Sequence, residues 1–407
     1  TAAAAGATTE LAPRQADTLL APATGEAPPA RAVVRDAPRY AWVEVLGEGG
    51  MGRVARVRDR DLLRDVAMKV VRGELVADAA ALERFLFEAR VTAYLDHPNI
   101  VPVHDVGLAA DGEPFFTMKL VRGASLEAWI ASLRDGRAAG APEPGLARRL
   151  RLFLQLAGAV AFAHARGVLH RDLKPANVMV AEYGEVLVTD WGLALPLPGD
   201  AGEAVRGLMP EAVAVRSAGT PMYMPPEQIR GEQLDARADV YALGAILFEL
   251  VALRPAHDAP SLDEVLRRTL EGEPPSLRAA VPDAPSSLAA VVAKAMARER
   301  DARYASVDEL VEDVETVLDG RTPRADAAPL LKQAARYYLG RDPALARLRV
   351  ADLDLWMGGS WMFGLGLGAL LAARLGGLAY GVLVAGVLLM VPTTVRWLRA
   401  RRERARH

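Results

Sequence analysis

The sequence predicts an α+β fold class that is followed, near the C-terminus, by a hairpin of two apolar helices. Three observations carry this prediction. A glycine-rich run at Leu46–Val54 indicates a strand, a tight turn and a second strand. A run at His170–Asn177 brings a carboxylate, a lysine and an asparagine into one short stretch in the middle of the chain. Two stretches without charge, 355–373 and 375–395, are each close to the ~20 residues that cross a bilayer as a helix.

The composition limits the classes of function. The 407 residues allow two or three domains. A formal net charge of −2 and a hydrophobic share of 51% argue against a general nucleic-acid-binding protein. Cysteine is absent, which excludes disulfides and thiolate metal sites and fits a reducing cytoplasm. Residues 1–37 are rich in alanine, proline and threonine without a signal-peptide pattern, so we expect a flexible leader there.

The glycine-rich run suits the binding of phosphates. Gly47, Gly49 and Gly52 have no side chains, so backbone amides can approach a phosphate group closely. Taken alone this signal is weak, because ordinary turns and dinucleotide folds also use glycine. Lys69 follows in an apolar strand, where a lysine by itself is more often a surface residue with a buried stem.

The His170–Asn177 run, together with Asp190, contains the groups that phosphoryl transfer from ATP to a hydroxyl requires. Asp172 can orient the attacking oxygen, and Lys174 can place a cation beside the transferred group. Asn177 and Asp190 offer the hard oxygen ligands that Mg²⁺ prefers. His170 is interpreted as a packed structural histidine. The spacing of the whole set makes this a strong signal.

Further motifs follow in a single order along the chain. They are Val66-Ala67-Met68-Lys69, Glu88, Gly219–Glu227, Asp239 and Arg303. With them, the region from Tyr40 to Leu318 resembles a eukaryotic-like (Hanks-type) serine/threonine protein kinase, and the whole chain resembles bacterial membrane-attached members. The resemblance implies the bilobal protein kinase fold. We therefore expect a small β-rich N-terminal lobe with one helix around Leu82 to Leu95, and a larger helical C-terminal lobe.

The resemblance also implies a role for each matching residue. The residues expected to act in catalysis are Asp172, Lys174, Lys69 and Glu88. Those expected to contact ATP are Leu46, Gly47, Glu48, Gly49, Gly50, Gly52, Val54, Ala67, Lys69, Lys119 and Val121. Lys119 and Val121 would do so through backbone groups of the hinge. Asn177 and Asp190 would bind Mg²⁺, with Mn²⁺ as an alternative ion. The structural residues are Glu227, its ion-pair partner Arg303, and Asp239, which would hydrogen-bond the catalytic-loop backbone.

Two residues favour serine and threonine over tyrosine as the acceptor. In the family that this chain resembles, Lys174 marks enzymes of that type, and Thr220 contacts both the lysine and the catalytic aspartate. Ala176 stands where relatives that prefer basic peptides often have a glutamate, so a strong preference of that kind is not expected. Trp191 replaces the usual phenylalanine after Asp190, and we expect it to pack in the core.

Control by phosphorylation of the activation segment is also expected. Arg171, beside the catalytic aspartate, is the family's sign of such control, because an arginine at this position favours an anion. The hydroxyl-bearing residues of the segment are Ser217, Thr220 and Tyr223. Ser217 is the first candidate phosphosite and Thr220 the second. The alternative is a constitutively ordered segment in which Ser217 is incidental.

The predicted domain organisation has five parts. These are the leader 1–37, a kinase domain 38–320, a juxtamembrane linker 321–354, two transmembrane helices in 355–395, and a basic cytoplasmic tail 396–407. Apolar spacing over 330–339 favours an amphipathic helix in the linker. Six arginines against one glutamate in 396–406 place the tail, and with it the kinase, in the cytoplasm. A hairpin buried in soluble protein and an interfacial segment are the alternatives.

The predicted function is an ATP-dependent serine/threonine protein kinase, anchored as a multi-pass protein in the inner membrane and able to autophosphorylate. Its expected partners are ATP, protein substrates with serine or threonine, the membrane, and a second copy in a homodimer, but not nucleic acid. The first alternative is a membrane-tethered pseudokinase scaffold that binds nucleotide and recruits partners. Lys69, Asp172 and Asp190, which pseudokinases usually lose, are all present. The second alternative, a small-molecule kinase, does not account for the segment Gly219–Glu227.

Overall fold

The structure is a computed structural model that describes residues 38–49, 52–109, 112–140, 144–209, 219–272 and 275–326. Residues up to Glu315 belong to one compact unit, and a second unit begins at Thr316 and is described only to Asp326. The predicted leader, amphipathic segment, apolar hairpin and basic tail lie outside the described residues and stay predictions. Across the described ranges, no helix is both long and apolar enough to cross a membrane.

Strands are concentrated in the first part of the described chain and helices in the second. The strands are β1 Tyr40–Glu48, β2 Gly52–Asp59, β3 Arg64–Val71, β4 Val103–Leu108, β5 Pro114–Met118, β6 Gly123–Ser125, β7 Val168–Leu169, β8 Val178–Ala181, β9 Val186–Val188 and β10 Leu195–Pro196. The helices are α1 Ala79–Tyr94, α2 Leu126–Ala138, α3 Leu146–Ala165, α4 Asp200–Arg206, α5 Pro226–Ile229, α6 Arg237–Ala252, α7 Leu262–Glu271, α8 Leu277–Ala280, α9 Ser286–Ala295 and α10 Val307–Leu318. This distribution confirms the α+β class with a small β-rich lobe and a larger helical lobe.

The small lobe is built on one antiparallel sheet with the strand order β1-β2-β3-β5-β4. Alternating apolar side chains of β2, β3 and β5 form a buried cluster on one face, which consists of Ala55, Val57, Val66, Met68, Val70 and Phe115. Lys69 lies between Met68 and Val70 in β3 and therefore faces the opposite side of the sheet, where the cleft lies. Gly52 begins β2 so close to β3 that a Cβ there would lie 2.2 Å from the carbonyl oxygen of Val70. The glycine is therefore required for the pairing of the two strands.

Helix α1 begins at Ala79, earlier than the predicted start around Leu82, and ends at Tyr94. Its N-cap is Asp78, whose carboxylate accepts hydrogen bonds from the next backbone amides, and the prediction did not use this cap. Phe85 packs into a second buried cluster of the small lobe together with Val71, Ala89 and Phe116. Glu88 lies one turn after Phe85 and is also buried, so the packing of α1 sets the position of this carboxylate.

Helix α6 forms the centre of the large lobe. Every residue from Ala238 to Ala252 is buried, which agrees with a helix that is apolar on all sides. Gly244 allows α9 to approach, because a Cβ at this position would lie 2.8 Å from the Cβ of Ala295. Helix α2 continues past Asp135 and Gly136 to Ala138, since alanine and arginine favour the helix despite the neighbouring glycines.

Candidate active site

A cleft between the two lobes contains a cavity of about 530 Å³. The small lobe contributes Gly47, Glu48, Gly49, Gly52, Val54, Lys69, Glu88 and Met118 to its lining. The large lobe contributes Asp172, Ala176, Asn177, Thr189, Asp190, Gly192 and Leu193. The fold thus brings together, from distant parts of the chain, most of the residues that the sequence motifs single out. A volume of this size suits a small-molecule ligand.

Lys69 and Glu88 form a buried ion pair on the small-lobe side of the cleft. The Lys69 Nζ atom lies 2.6 Å from Glu88 Oε1 and 2.7 Å from Oε2, so strand β3 is joined to helix α1. Burial by itself lowers the pKa of Lys69, but the carboxylates of Glu88 and Asp190 outweigh burial and raise this pKa. Lys69 is therefore a fixed cation that faces the cavity.

Asp172, Lys174 and Thr220 are connected by hydrogen bonds on the large-lobe side. Lys174 Nζ donates to Asp172 Oδ2 over 2.8 Å and to Thr220 Oγ1 over 2.9 Å. Thr220 Oγ1 in turn donates to Asp172 Oδ1 over 3.0 Å. Both oxygens of the Asp172 carboxylate are thus oriented by neighbours, and Asp172 is only 8% exposed. The arrangement leaves the Asp172 carboxylate in the cavity wall, with the Lys174 cation directly beside it.

Asn177 and Asp190 lie next to this group and fit a magnesium ion. Asn177 Nδ2 donates to the carbonyl of Asp172 over 2.9 Å, which leaves its Oδ1 as the acceptor atom of the amide. Asp190 is exposed in the cleft and has a φ of 62°, a backbone conformation that is uncommon for residues other than glycine. Among the described residues, no three histidine or acidic side chains gather into a metal site. Magnesium bound through one or two protein oxygens and substrate phosphates needs no such cluster.

Asp239, at the start of α6, holds the segment that carries Asp172. Its carboxylate accepts hydrogen bonds from His164 Nε2 (2.8 Å), from the His170 amide (2.8 Å) and from the Arg171 amide (2.9 Å). Burial raises the pKa of Asp239, but these donors outweigh burial and hold the pKa below its ordinary value. The aspartate is therefore an ionised anchor beneath the loop.

A second buried pair fixes the end of the activation segment. Arg303 donates to both oxygens of Glu227, over 2.6 Å and 2.9 Å, in the bidentate geometry that suits a guanidinium and a carboxylate. Arg303 also donates to the carbonyls of Ala297, Arg237 and Arg298. The contacts that the sequence resemblance implies for Asp239 and for Arg303 are therefore both present.

Comparison with known proteins agrees with this geometry. Residues 40–313 match the family model of the protein kinase domain. This chain belongs to the protein kinase family. It is 33% identical over 297 residues to serine/threonine-protein kinase PknD of Protochlamydia amoebophila. The aligned region covers 70% of this chain and 30% of that protein. It is 37% identical over 322 residues to serine/threonine-protein kinase PknB of Mycolicibacterium smegmatis. Here the aligned region covers 78% of this chain and 48% of that protein.

A further relative is PknB of Mycobacterium tuberculosis, which is 35% identical over 327 residues, or 78% of this chain and 50% of that protein. The chain spans half or less of the length of these relatives. These similarities agree with the resemblance to bacterial eukaryotic-like serine/threonine kinases.

Leu46, Ala67, Lys119 and Val121 were also predicted to contact ATP. They are not among the residues that line the cavity, and their contacts with ATP stay predictions. The amide of Lys119 donates to the carbonyl of Pro102 over 3.1 Å, so only its carbonyl is left for a ligand. Gly50 and Ser217 lie outside the described residues.

The cleft also includes residues that the motifs did not single out as ligand contacts. These are Met118, Ala176, Thr189, Gly192 and Leu193. Each stands within three residues of a predicted site residue along the chain, and this proximity is the signal that could have found them. Thr189 contacts a predicted site residue directly, since its Oγ1 donates to the carbonyl of Asn177 over 3.0 Å.

Trp191 is fully buried, as expected for the aromatic residue after Asp190. Its ring lies 4.5 Å from that of His170, centroid to centroid, at an interplanar angle of 48°. Within the described part of the chain, the indole Nε1 has no hydrogen-bond partner. His170 is likewise fully buried, in agreement with a packing role rather than a proton-carrying one.

Proposed function

We propose that this chain is an ATP-dependent serine/threonine protein kinase. The observation that carries the proposal is the hydrogen-bonded group of Asp172, Lys174 and Thr220, opposite the Lys69–Glu88 pair across one cavity. A carboxylate next to a lysine suits the attack of an aliphatic hydroxyl on a phosphoryl group. A pseudokinase would not need all of these groups to converge.

In the proposed reaction, a serine or threonine hydroxyl of the substrate approaches Asp172. Its oxygen forms a bond to the γ-phosphorus of ATP while the bond from that phosphorus to the β–γ bridging oxygen breaks, and ADP leaves. Asp172 accepts the hydroxyl proton, and Lys174 stabilises the charge that develops on the transferred group. Lys69 orients the phosphates of ATP and is itself held by Glu88.

Asn177 and Asp190 would hold Mg²⁺, which supplies positive charge to the phosphate oxygens. The protein's own contribution is to keep both oxygen ligands oriented toward the cavity. The hydrogen bond from Asn177 Nδ2 to the Asp172 carbonyl does this for the amide. The glycine-rich loop, with Gly47, Gly49 and Gly52 in the cavity wall, leaves backbone amides accessible to phosphates.

The test is transfer of labelled phosphate from ATP, with Mg²⁺, by the full chain to itself and to a generic protein substrate. We expect label on serine or threonine, and a loss of roughly 10³-fold or more in rate for Asp172→Asn. Asp308→Asn, an exposed aspartate on α10, is the matched control and should keep the wild-type rate. Nucleotide binding without transfer in the wild type would instead favour the scaffold.

We also propose that Ser217 is the activating phosphosite and that residues 355–395 attach the kinase to the cytoplasmic face of a membrane. The absence of charge in each apolar stretch and the arginine-rich tail support attachment. Peptide mapping after autophosphorylation tests the phosphosite, with Ser217→Ala expected to lower the rate.

To test membrane attachment, membranes are washed with high salt and then treated with detergent. The chain should stay with the membranes after the salt wash and enter solution with detergent. Release by salt alone would contradict membrane insertion.

A further inference from the structure

A network of hydrogen bonds joins three segments outside the cavity: the loop after α1, helix α3, and the turn between β8 and β9. We call it the amide junction, and it consists of Asn99, Gln155, Gly184, Val186 and Val188. Its centre is the side chain of Gln155 on α3. Gln155 belongs to no motif that the sequence resemblance contains, and it does not line the cavity.

The amide of Gln155 uses both its acceptor and its donor function. Its Oε1 accepts from Asn99 Nδ2 over 3.3 Å and from the backbone amide of Val186 over 3.2 Å. Its Nε2 donates to the carbonyl of Gly184 over 3.2 Å. Asn99 Nδ2 also donates to the Val186 carbonyl over 2.8 Å. One side chain of α3 therefore holds the first residue of β9 and the loop after α1 at the same time.

The loop after α1 is bound to β9 along the backbone as well. The amide of Val188 donates to the carbonyl of Asn99 over 2.8 Å, and the amide of Val101 donates to the carbonyl of Val188 over 3.0 Å. Ile100 and Val188 form a parallel bridge. The loop and β9 thus behave as one short piece of sheet, which Gln155 joins to the large lobe.

Each end of this connection leads to a carboxylate of the site. Strand β9 ends at Val188, two residues before Asp190. Helix α1, which carries Glu88, ends at Tyr94 and runs directly into the loop. Asp190 is exposed in the cleft, so its position depends on the strand that leads to it. Strand β9 pairs with β8, and Thr189 donates to the carbonyl of Asn177, so a shift of β9 against α3 carries Asp190 and Asn177 together.

We propose that Gln155 is a positioning residue that sets where the magnesium ligands Asp190 and Asn177, on the β8–β9 hairpin, stand relative to Glu88. The inference rests on the proposed function, since it assigns a metal role to Asp190. Glutamine suits the position because a single amide accepts two N–H groups and donates to a carbonyl. A carboxylate of the same shape keeps the two acceptor contacts but loses the donor, and an apolar side chain loses all three.

The decisive variant is Gln155→Met in the full chain, because methionine keeps the length of the side chain and removes its hydrogen bonds. The readout is the thermal stabilisation of the protein by a non-hydrolysable ATP analogue while Mg²⁺ is titrated. We expect the Mg²⁺ midpoint to rise about 10-fold. The turnover number should fall by a similar factor with an unchanged KM for a peptide substrate, since the peptide does not contact Asp190.

Two further variants make the result specific. Gln155→Glu should give a smaller rise of the Mg²⁺ midpoint, about 3-fold, because it keeps the contacts to Asn99 and Val186. Tyr304→Phe removes a buried hydrogen bond to Asp313 far from the junction, and it should lower the melting temperature but not move the midpoint. A merely structural role of Gln155 would behave like Tyr304→Phe, because a smaller folded fraction does not change a binding midpoint.

An unchanged midpoint in Gln155→Met, or in Gln155→Glu if the methionine variant does not fold, overturns the inference. The nucleotide readout does not depend on catalysis. If the wild-type chain binds Mg²⁺ and nucleotide but transfers no phosphate, the proposed function fails while the role of Gln155 can still be judged.

Discussion

On the small-lobe side of the cleft, the cation Lys69 is held by one side chain, Glu88, from a neighbouring helix. On the large-lobe side, the loop that carries Asp172 is held by Asp239, which accepts three hydrogen bonds and sits on a helix that is buried on all sides. The two anchors are both buried carboxylates, yet one joins a strand and a helix of the small lobe and the other belongs to the central helix of the large lobe. We infer that the large-lobe anchor serves mainly stability and the small-lobe pair mainly the reaction.

The largest effect should come from breaking the large-lobe anchor. Asp239→Ala removes the acceptor of three buried donors, and we expect the free energy of unfolding to fall by about 3–5 kcal/mol. Urea unfolding followed by circular dichroism measures it. Asp235→Ala, a partly exposed aspartate just before α6, is the control and should cost less than about 1 kcal/mol. If Asp239→Ala and Asp235→Ala lower the free energy of unfolding by similar amounts, Asp239 would not be an anchor of stability.

Breaking the small-lobe pair should mainly affect the rate. For Lys69→Met we expect kcat to fall by roughly 10²–10³, because the phosphates lose their fixed cation. Burial raises the pKa of Glu88, so the carboxyl can take up a proton once the lysine is gone, and we expect a stability loss below about 2 kcal/mol. Steady-state kinetics and urea unfolding measure both. Arg64→Met, exposed on the same strand, should leave both quantities unchanged.

The stability of the large lobe should depend on pH because of His257. This residue is 5% exposed, shares a 2.7 Å hydrogen bond with Tyr241, and burial lowers its pKa from 6.5 to about 4. The unfolded chain therefore binds a proton more readily than the folded one between these pH values. Stability is unaffected above pH 6.5 and falls by about 3 kcal/mol as the pH drops from about 6.5 to about 4.

The matching variant is His257→Phe, which should lose about 1 kcal/mol at pH 7 with the hydrogen bond to Tyr241. Its stability curve should be flatter than that of the wild type over the same pH interval. Thermal melts at several pH values provide the measurement. Parallel curves for the two proteins would mean that His257 does not titrate in this range.

The smallest effect concerns the link between the activation segment and the catalytic loop. Thr220→Val removes the hydroxyl that joins Lys174 and Asp172, and we expect kcat to fall about tenfold. Thr220→Ser retains the hydroxyl and should stay within about threefold of the wild type. If the serine variant, which keeps the hydroxyl, lowers kcat as much as the valine variant does, the hydrogen bonds of Thr220 would not explain the loss of rate.

The sequence was sufficient for those parts of the site whose contacts follow from a motif. Asp172, Asn177 and Asp190 line one cavity, with Lys174 bonded to Asp172, because a short loop and the next hairpin impose their geometry. Glu88 could be placed because a helix at a fixed offset from Lys69 brings the two together.

Other features depend on contacts that no local pattern contains. Gln155 reaches partners in two other segments, and nothing in its neighbourhood marks it as different from another polar residue of α3. The amide of Lys119 is taken by Pro102, which lies on a separate segment before β4. The start of α1 depended on the cap at Asp78 rather than on apolar spacing. Long-range pairing and capping therefore account for the features that the sequence patterns did not contain.

The buried ring of Trp191 has a practical consequence for optical spectroscopy. The chain has six tryptophans, and Trp42 in the described part is 48% exposed, whereas Trp191 is fully enclosed beside Asp190. An indole in such surroundings emits at shorter wavelength than one in contact with water. A kinase with phenylalanine at this position has no comparable signal. The unlabelled protein thus carries a fluorescent reporter next to Asp190, the aspartate proposed to bind magnesium, and emission spectra can test whether that segment moves when nucleotide is added.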